Sequence, residues 1–419
     1  MQPPRLKNDC FALPPGIDWT PVDTALGLLR ERLSVVTASE RLEVGQAAGR
    51  VLGEDVAARR SNPPTANSAV DGFGFAHASL GRGAVQELPL VDGRAAAGQA
   101  FGGVVPEGFA IRILTGAQIP DGVDTVILEE DVTEGEARIA FHSGLKRGAN
   151  TRRAGEDVAA GDIVLRAGRV LQPHDLALLA AVGVAEVAVQ SRLRVGVLST
   201  GDEIRPAGAD IGPEQIYDAN RPMLLALLAR WGMAAVDLGH VRDDRDILRA
   251  RLDRAADEVD AILTSGGASA GDEDHLSALL NAEGRVHSWR IAVKPGRPLA
   301  LGQWQGVPVF GLPGNPVAAF VCALIFARPA LAIMNGADWP EPVGMMVPAG
   351  FAKSKKPGRR EYLRARLNGD GRAEVFRSEG SGRISGLSWA EGLVELGDEA
   401  AEITPGDPVR FLPYGSFGF

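Results

Sequence analysis

From about residue 173 to residue 334 the chain alternates two patterns. Short, almost wholly apolar runs ("LRVGVL", "AAVDLG", "DAIL", "WRIAV", "VPVFG") end in glycine or small polar residues. The stretches between them, such as "NRPMLLALLARWG", "RDILRARLDRAAD" and "DHLSALLNAEG", carry apolar residues at helical spacing. Such βαβ alternation predicts a mostly parallel sheet with helices on both faces, a three-layer α/β unit. Upstream, "TPVDTALGLLRERL" predicts a helix with Thr20 as N-cap, Pro21 at its first position and Asp23 completing a capping box. Val22, Leu26, Leu29 and Leu33 would form its buried face. From about 41 to 145 short β-type runs such as "AIRIL" and "DTVILEED" sit among glycines, which predicts a β-rich insertion closed by the polar boundary "GLKRGANTRRAGED". After the linker "NGADWPEPVG" the strand-and-turn pattern predicts a small C-terminal β domain.

Composition narrows the function. The 419 residues are 45% hydrophobic and 23% charged, an ordinary balance for several packed cores. A net charge of −9 argues against nucleic acid as partner, and the basic run "KSKKPGRR" reads as a solvated hairpin. The longest apolar run, "PVAAFVCALIFA", is shorter than the roughly 20 residues a bilayer needs, so no membrane partner is expected. The N-terminus lacks the apolar core of a secretory signal, and two cysteines form no disulfide framework, so a cytoplasmic location is expected. The six histidines are scattered, which points away from zinc and towards a hard, oxygen-bound metal.

Open α/β sheets bind ligands at the carboxyl ends of their strands. The five apolar runs lead into "STGDE", "HVRDD", "TSGGASAGDED", "KPGRP" and "LPGNP", which places all five loops on one edge of one sheet. Any one of these is an ordinary turn; five in succession define a candidate site. Gly266 and Gly267 begin a loop whose amides suit an anion, and Ser269, Lys294 and Arg297 add donors and positive charge. Carboxylates in the same loops repel an anion unless a cation such as Mg²⁺ lies between, and Asp243 and Asp274 are the best-placed ligands for it. "GGASAG" is neither a dinucleotide fingerprint nor a P-loop.

The segments "STGDE", "SGGASAGDED", "KPGRP" and "GLPGNP", together with "SAVDGFGF", "RILTGAQIPDGVDTVILEED" and "RRAGED", closely resemble the molybdopterin molybdotransferases, the MoeA family that includes the E domain of gephyrin. The resemblance runs from about residue 20 to the end. It implies an elongated homodimer whose subunit has four domains: a discontinuous domain I (1–46 plus 145–172), a β-rich domain II (47–144), an α/β molybdopterin-binding domain III (173–335) and a β domain IV (336–419). The implied reaction inserts molybdate into adenylylated molybdopterin with Mg²⁺-dependent release of AMP, at a site shared between subunits. Carried over by position, the site holds Asp71, Thr115, Asp157, Glu203, Asp243, Ser269, Asp274, Arg290, Lys294, Arg297, Pro313 and Pro316. In that reading Asp243 and Asp274, supported by Glu203, bind the metal, and the two prolines shape their loop. Arg290 and Arg297 stand where the family often has lysine, which keeps oxyanion binding but not proton transfer. A molybdopterin adenylyltransferase, which is also a possible transient partner, and a non-catalytic scaffold are the alternatives.

Overall fold

The computed structural model describes residues 19–266, 275–289, 291–296 and 299–419. Its centre is a six-stranded sheet of β1 (Arg194–Thr200), β2 (Ala234–Val241), β3 (Ala261–Ser265), β4 (Arg285–Trp289), β5 (Leu299–Trp304) and β6 (Val307–Leu312), in the order β2-β1-β3-β6-β5-β4. The first four in that order run parallel, and β5 runs antiparallel to both its neighbours. β3 is buried at every position, as a parallel strand covered on both faces must be. Side chains alternate between two cores. Val195, Leu263 and Phe310 pack with the helices Asn220–Arg230 and Pro316–Cys322, while Leu198, Ile262 and Val309 pack with the helices Arg245–Glu258 and His275–Glu283.

Three sequence expectations change at this level. The apolar run beginning at Pro316 continues as one helical stretch, through a π turn at Ala323–Ala327, to Met334. At 19 residues it is long and apolar enough to cross a membrane, but 83% of its apolar window is buried inside the protein; it is the central core helix. The run "WRIAV" is not one strand. β4 ends at Trp289, whereas Val293 and Lys294 pair in parallel with Arg360 and Glu361 of the C-terminal sheet. The "KPGRP" loop therefore leaves the sheet edge it was expected to share. The first helix spans Val22–Arg32 with Pro21 at its N-cap, because Thr20 is taken up in a bridge to Ile291. Asp23 makes no capping box; both its oxygens accept from the Arg360 guanidinium, a stronger, bidentate partner.

Residues 72–142 form a second six-stranded sheet around Phe73, Phe75, Ile127 and Phe141. The segments flanking it share a core of their own, in which Val44 and Leu52 pack with Leu171, Leu179 and Val187. The C-terminal sheet joins Met345–Pro348, Arg360–Leu367, Gly392–Leu396 and Pro408–Pro413 over Leu363, Val394 and Phe411. Here "KSKKPGRR" is only partly solvated: Lys353–Lys355 is a strand paired with Ala401–Ile403, and Lys355 is 3% exposed. Its ammonium donates to the carbonyls of Lys356 and Glu399, which makes its burial tolerable.

Candidate active site

The carboxyl edge of the central sheet is a set of interlocked turns. Gly201, after β1, has φ +139°, and a Cβ there would lie 2.5 Å from Glu203 Oε2, so glycine alone lets the Glu203 carboxylate fold back over the turn. The loop after β2 is tied to it: the Asp202 amide donates to Asp243 Oδ2 at 3.2 Å, and the Asp243 amide to Asp202 Oδ1 at 3.3 Å. Gly266, after β3, has φ +96° and sits where a Cβ would be 2.7 Å from the Thr200 carbonyl oxygen. Its amide donates to the Leu312 carbonyl, and buried Asn220 joins this turn to the loop after β6 by donating to Ser265 Oγ at 2.6 Å and to the Gly314 carbonyl at 2.7 Å. Pro313 and Pro316 bracket that loop, Pro316 opening the core helix, where a missing amide hydrogen costs nothing.

Several polar atoms on this edge are buried without a hydrogen-bond partner among the described residues. They are Ser199 Oγ, Thr200 Oγ1, Thr264 Oγ1 and Asn220 Oδ1. Burying such groups unpaired costs about 1–3 kcal/mol each, and native proteins keep few of them. They lie at the ends of β1 and β3 and at the start of the Asn220–Arg230 helix, next to the Gly266 turn.

Lys294 stands beside this edge. A Cβ on Gly296 would lie 3.0 Å from Cys322 Sγ and 3.9 Å from Pro313 Cγ, so the Lys294–Gly296 turn packs on the Pro313 loop and the core helix. The Lys294 ammonium donates to Glu379 Oε2 at 2.7 Å and lies 3.3 Å from Glu361 Oε1. Lys353 contacts the same two carboxylates, Glu361 at 3.1 Å and Glu379 by a close pair. Burial opposes the charge on Glu379, but the two lysines outweigh it and hold its carboxyl below the usual range; Lys353 is held above its own against the same penalty. Glu361 and Glu379 carried no sequence signal, and Lys353 only as part of "KSKKPGRR", since their cluster with Lys294 joins segments 59 to 85 positions apart. Asp202 and Asn220 were legible only as members of "GDE" and a helix start.

Asp71 and Thr115 form a bonded pair in the N-terminal half, and Asp157 is bound separately, to Asn62. Thr115 donates to Asp71 Oδ1 from both its amide and its hydroxyl, each at 2.6 Å. These bonds, with the charge of Arg112, hold the Asp71 carboxyl below its ordinary value. The three motifs are sewn together by backbone bonds: the Ser68 amide to Ala117, the Gly116 amide to Ser68, and the Ala69 amide to Asn150. Asp157 accepts from the Asn62 side-chain amide at 2.9 Å. Gly267, Ser269, Asp274, Arg290 and Arg297 lie outside the described residues. Among the described residues no three His, Cys, Asp or Glu side chains converge to hold a metal ion.

Fold and site together define a multidomain α/β protein whose ligand edge is glycine-turned, rich in oxygen donors and flanked by a lysine from a neighbouring sheet. Three sequence models match in order: the MoeA N-terminal region (domain I and II) over residues 20–183, a probable molybdopterin binding domain over 196–333, and the MoeA C-terminal region (domain IV) over 347–414. The chain belongs to the MoeA family. It is 36% identical over 400 residues to the molybdopterin molybdenumtransferase of Haemophilus influenzae, covering 94% of this chain and 98% of that one. It is also 36% identical over 377 residues to molybdopterin molybdenumtransferase 2 of Mycobacterium tuberculosis, covering 87% and 92%. The crystal structure of the molybdopterin biosynthesis moeA protein from Pyrococcus horikoshii superposes with a TM-score of 0.83 at 28% identity, covering 95% of this chain and all of that one.

Proposed function

We propose that this chain carries out the molybdopterin molybdenumtransferase reaction of its family by inserting molybdate into adenylylated molybdopterin and releasing AMP. The observation that carries the reading to this site is the carboxyl edge itself, where the Gly201 and Gly266 turns and the tied Asp202 and Asp243 loops meet the Pro313 loop beside Lys294, within the span matched by the molybdopterin binding domain. An anionic, hydrogen-bonding ligand suits such an edge. The Gly266 turn would let the chain pass close to its phosphate oxygens and Gly267 would offer them its amide, while Ser269, Lys294, Arg290 and Arg297 would hold molybdate near the pterin sulfurs, so that two reactants meet in a fixed geometry.

The carboxylates of the loops after β1 and β2 are hard oxygen donors, which suits Mg²⁺. Asp243 and Asp274, with Glu203 in support, would hold it, and its charge would offset that of the phosphoanhydride. Pro313 and Pro316 keep the loop shape. Asp71, Thr115 and Asp157 would complete the site from the second subunit of a homodimer; what supports this is that their bonding partners lie in the N-terminal sheet region. A chain that remained monomeric at working concentration and still turned over would remove the dimer from the account. The four-domain division (1–46 with 145–172, 47–144, 173–335, 336–419) belongs to the same reading; separate apolar clusters occupy the N-terminal, central and C-terminal parts, while the core flanking the N-terminal sheet runs over residues 44–58 and 165–189, across the boundaries at 46 and 172. A cytoplasmic setting is supported by the few cysteines, of which Cys322 is buried with its thiol pushed up to about 12.

The roles are separable by substitution. Asp274→Asn should abolish Mg²⁺-dependent AMP release, and Lys294→Ala should raise the molybdate concentration needed for half-maximal rate by about ten-fold or more. Turnover by Asp274→Asn at the parent rate would remove the metal assignment.

A further inference from the structure

Outside the loops the reading above uses, the group most closely bound to the site is the four-membered cluster of Lys294, Lys353, Glu361 and Glu379. Lys353 and Glu361 pair at 3.1 Å with side chains only 11% and 9% exposed, and Lys353 also makes the close pair with Glu379, so each keeps one buried partner if Glu379 is replaced. Glu379 differs. Its side chain is 45% exposed, and it makes the cluster's contact to Lys294 at 2.7 Å, shorter than the 3.3 Å from Lys294 to Glu361. Its backbone is held on both sides: the Arg364 guanidinium donates to the carbonyls of Ser378 and Gly380 that flank it, and the Val317 amide of the core helix donates to Ser381. Arg364 itself is 4% exposed, so this clamp is built into the core. Glu379 and Lys294 share the wall of a cavity of about 170 Å³. An accessible carboxylate is thus presented, on a fixed support, to the one described cation that the proposed function assigns to an oxyanion.

We propose that Glu379 is an affinity-setting residue for the oxyanion substrate: it occupies the Lys294 ammonium, so that an oxyanion gains that cation only by displacing a carboxylate. This rests on the reading of Lys294 as a molybdate-binding residue. Without Glu379 the three remaining charges carry a net positive charge beside the site; with it they are balanced, which lowers the attraction for an arriving oxyanion. The low carboxyl value at Glu379 keeps the competitor ionised throughout the neutral range. The role is one of positioning, exerted on affinity through Lys294 and not on the reacting atoms.

The test is equilibrium dialysis of molybdate against the purified full chain at fixed ionic strength, for the parent, Glu379→Gln, Lys294→Met and the double variant. Glu379→Gln is expected to bind molybdate about five-fold more tightly, the size set by releasing one partly exposed ion pair. A merely structural residue would weaken binding when replaced. Glu379→Ala, which removes charge and amide alike, must show the same gain. In the Lys294→Met background the Glu379 substitution should change affinity by less than about two-fold. Unchanged or weaker binding by both Glu379 variants overturns the proposal, as does an equal gain in the Lys294→Met background. Parent-like binding by Lys294→Met alone would instead remove the reading of Lys294 on which the proposal rests.

Discussion

At Asp71 a single neighbour sets both the geometry and the charge of a carboxylate. Thr115 supplies an amide and a hydroxyl to the same oxygen, which leaves Oδ2 outside both bonds. Hydrogen bonds to the ionised form favour it, so the carboxyl lies below its ordinary value. Removing the hydroxyl must therefore move that value up. In Thr115→Val, where the amide bond stays, the acid limb of the pH–rate profile should shift to higher pH, and turnover should fall by about ten-fold from lost positioning. An acid limb that stayed in place would mean that Asp71 is not the group whose ionisation the rate requires. The motif "SAVDG" and the "TGA" segment announced these two residues separately; that they are one hydrogen-bonded unit depends on a separation of 44 positions, which no local pattern carries.

Among elements, the sheet edge depends on turns that only glycine permits. Gly201 joins a positive φ to a site already filled by its neighbour's carboxylate. Gly201→Ala should therefore destabilise the protein by about 1–3 kcal/mol in urea unfolding and swing Glu203 away, lowering turnover. Parent-like stability and rate would show that the turn has another conformation available. The central strands were legible in the sequence because a parallel strand is apolar on both faces and stops at glycine or a small polar residue. β5 ("LALGQW") was not, since its glycine and glutamine break the apolar run. "WRIAV" was read as one strand because periodicity cannot report a crossing between sheets. The backbone bond from the Ala292 amide to Thr20 and the pairing of Lys294 with Glu361 decide that, and both are long-range. Its consequence is functional: Lys294 reaches the edge from the C-terminal sheet and brings the Glu361–Glu379–Lys353 cluster with it.

For the whole molecule, the central helix Pro316–Met334 links the parts. It packs the central sheet and the first helix into one core, and its first turn meets both the Pro313 loop and the C-terminal segment at Ser381. The C-terminal sheet is thus fixed against the carboxyl edge by the same element that fills the core, which gives the two lysine–glutamate pairs a rigid support. The proposed function couples molybdate, at this edge, to cleavage of the adenylylated pterin. It is tested by AMP release from adenylylated molybdopterin by the purified chain with Mg²⁺, in the presence and absence of molybdate. AMP release is expected to depend on molybdate and to match the molybdenum inserted. Tight binding of the pterin without AMP release, or formation of the adenylylated pterin from ATP, would contradict it.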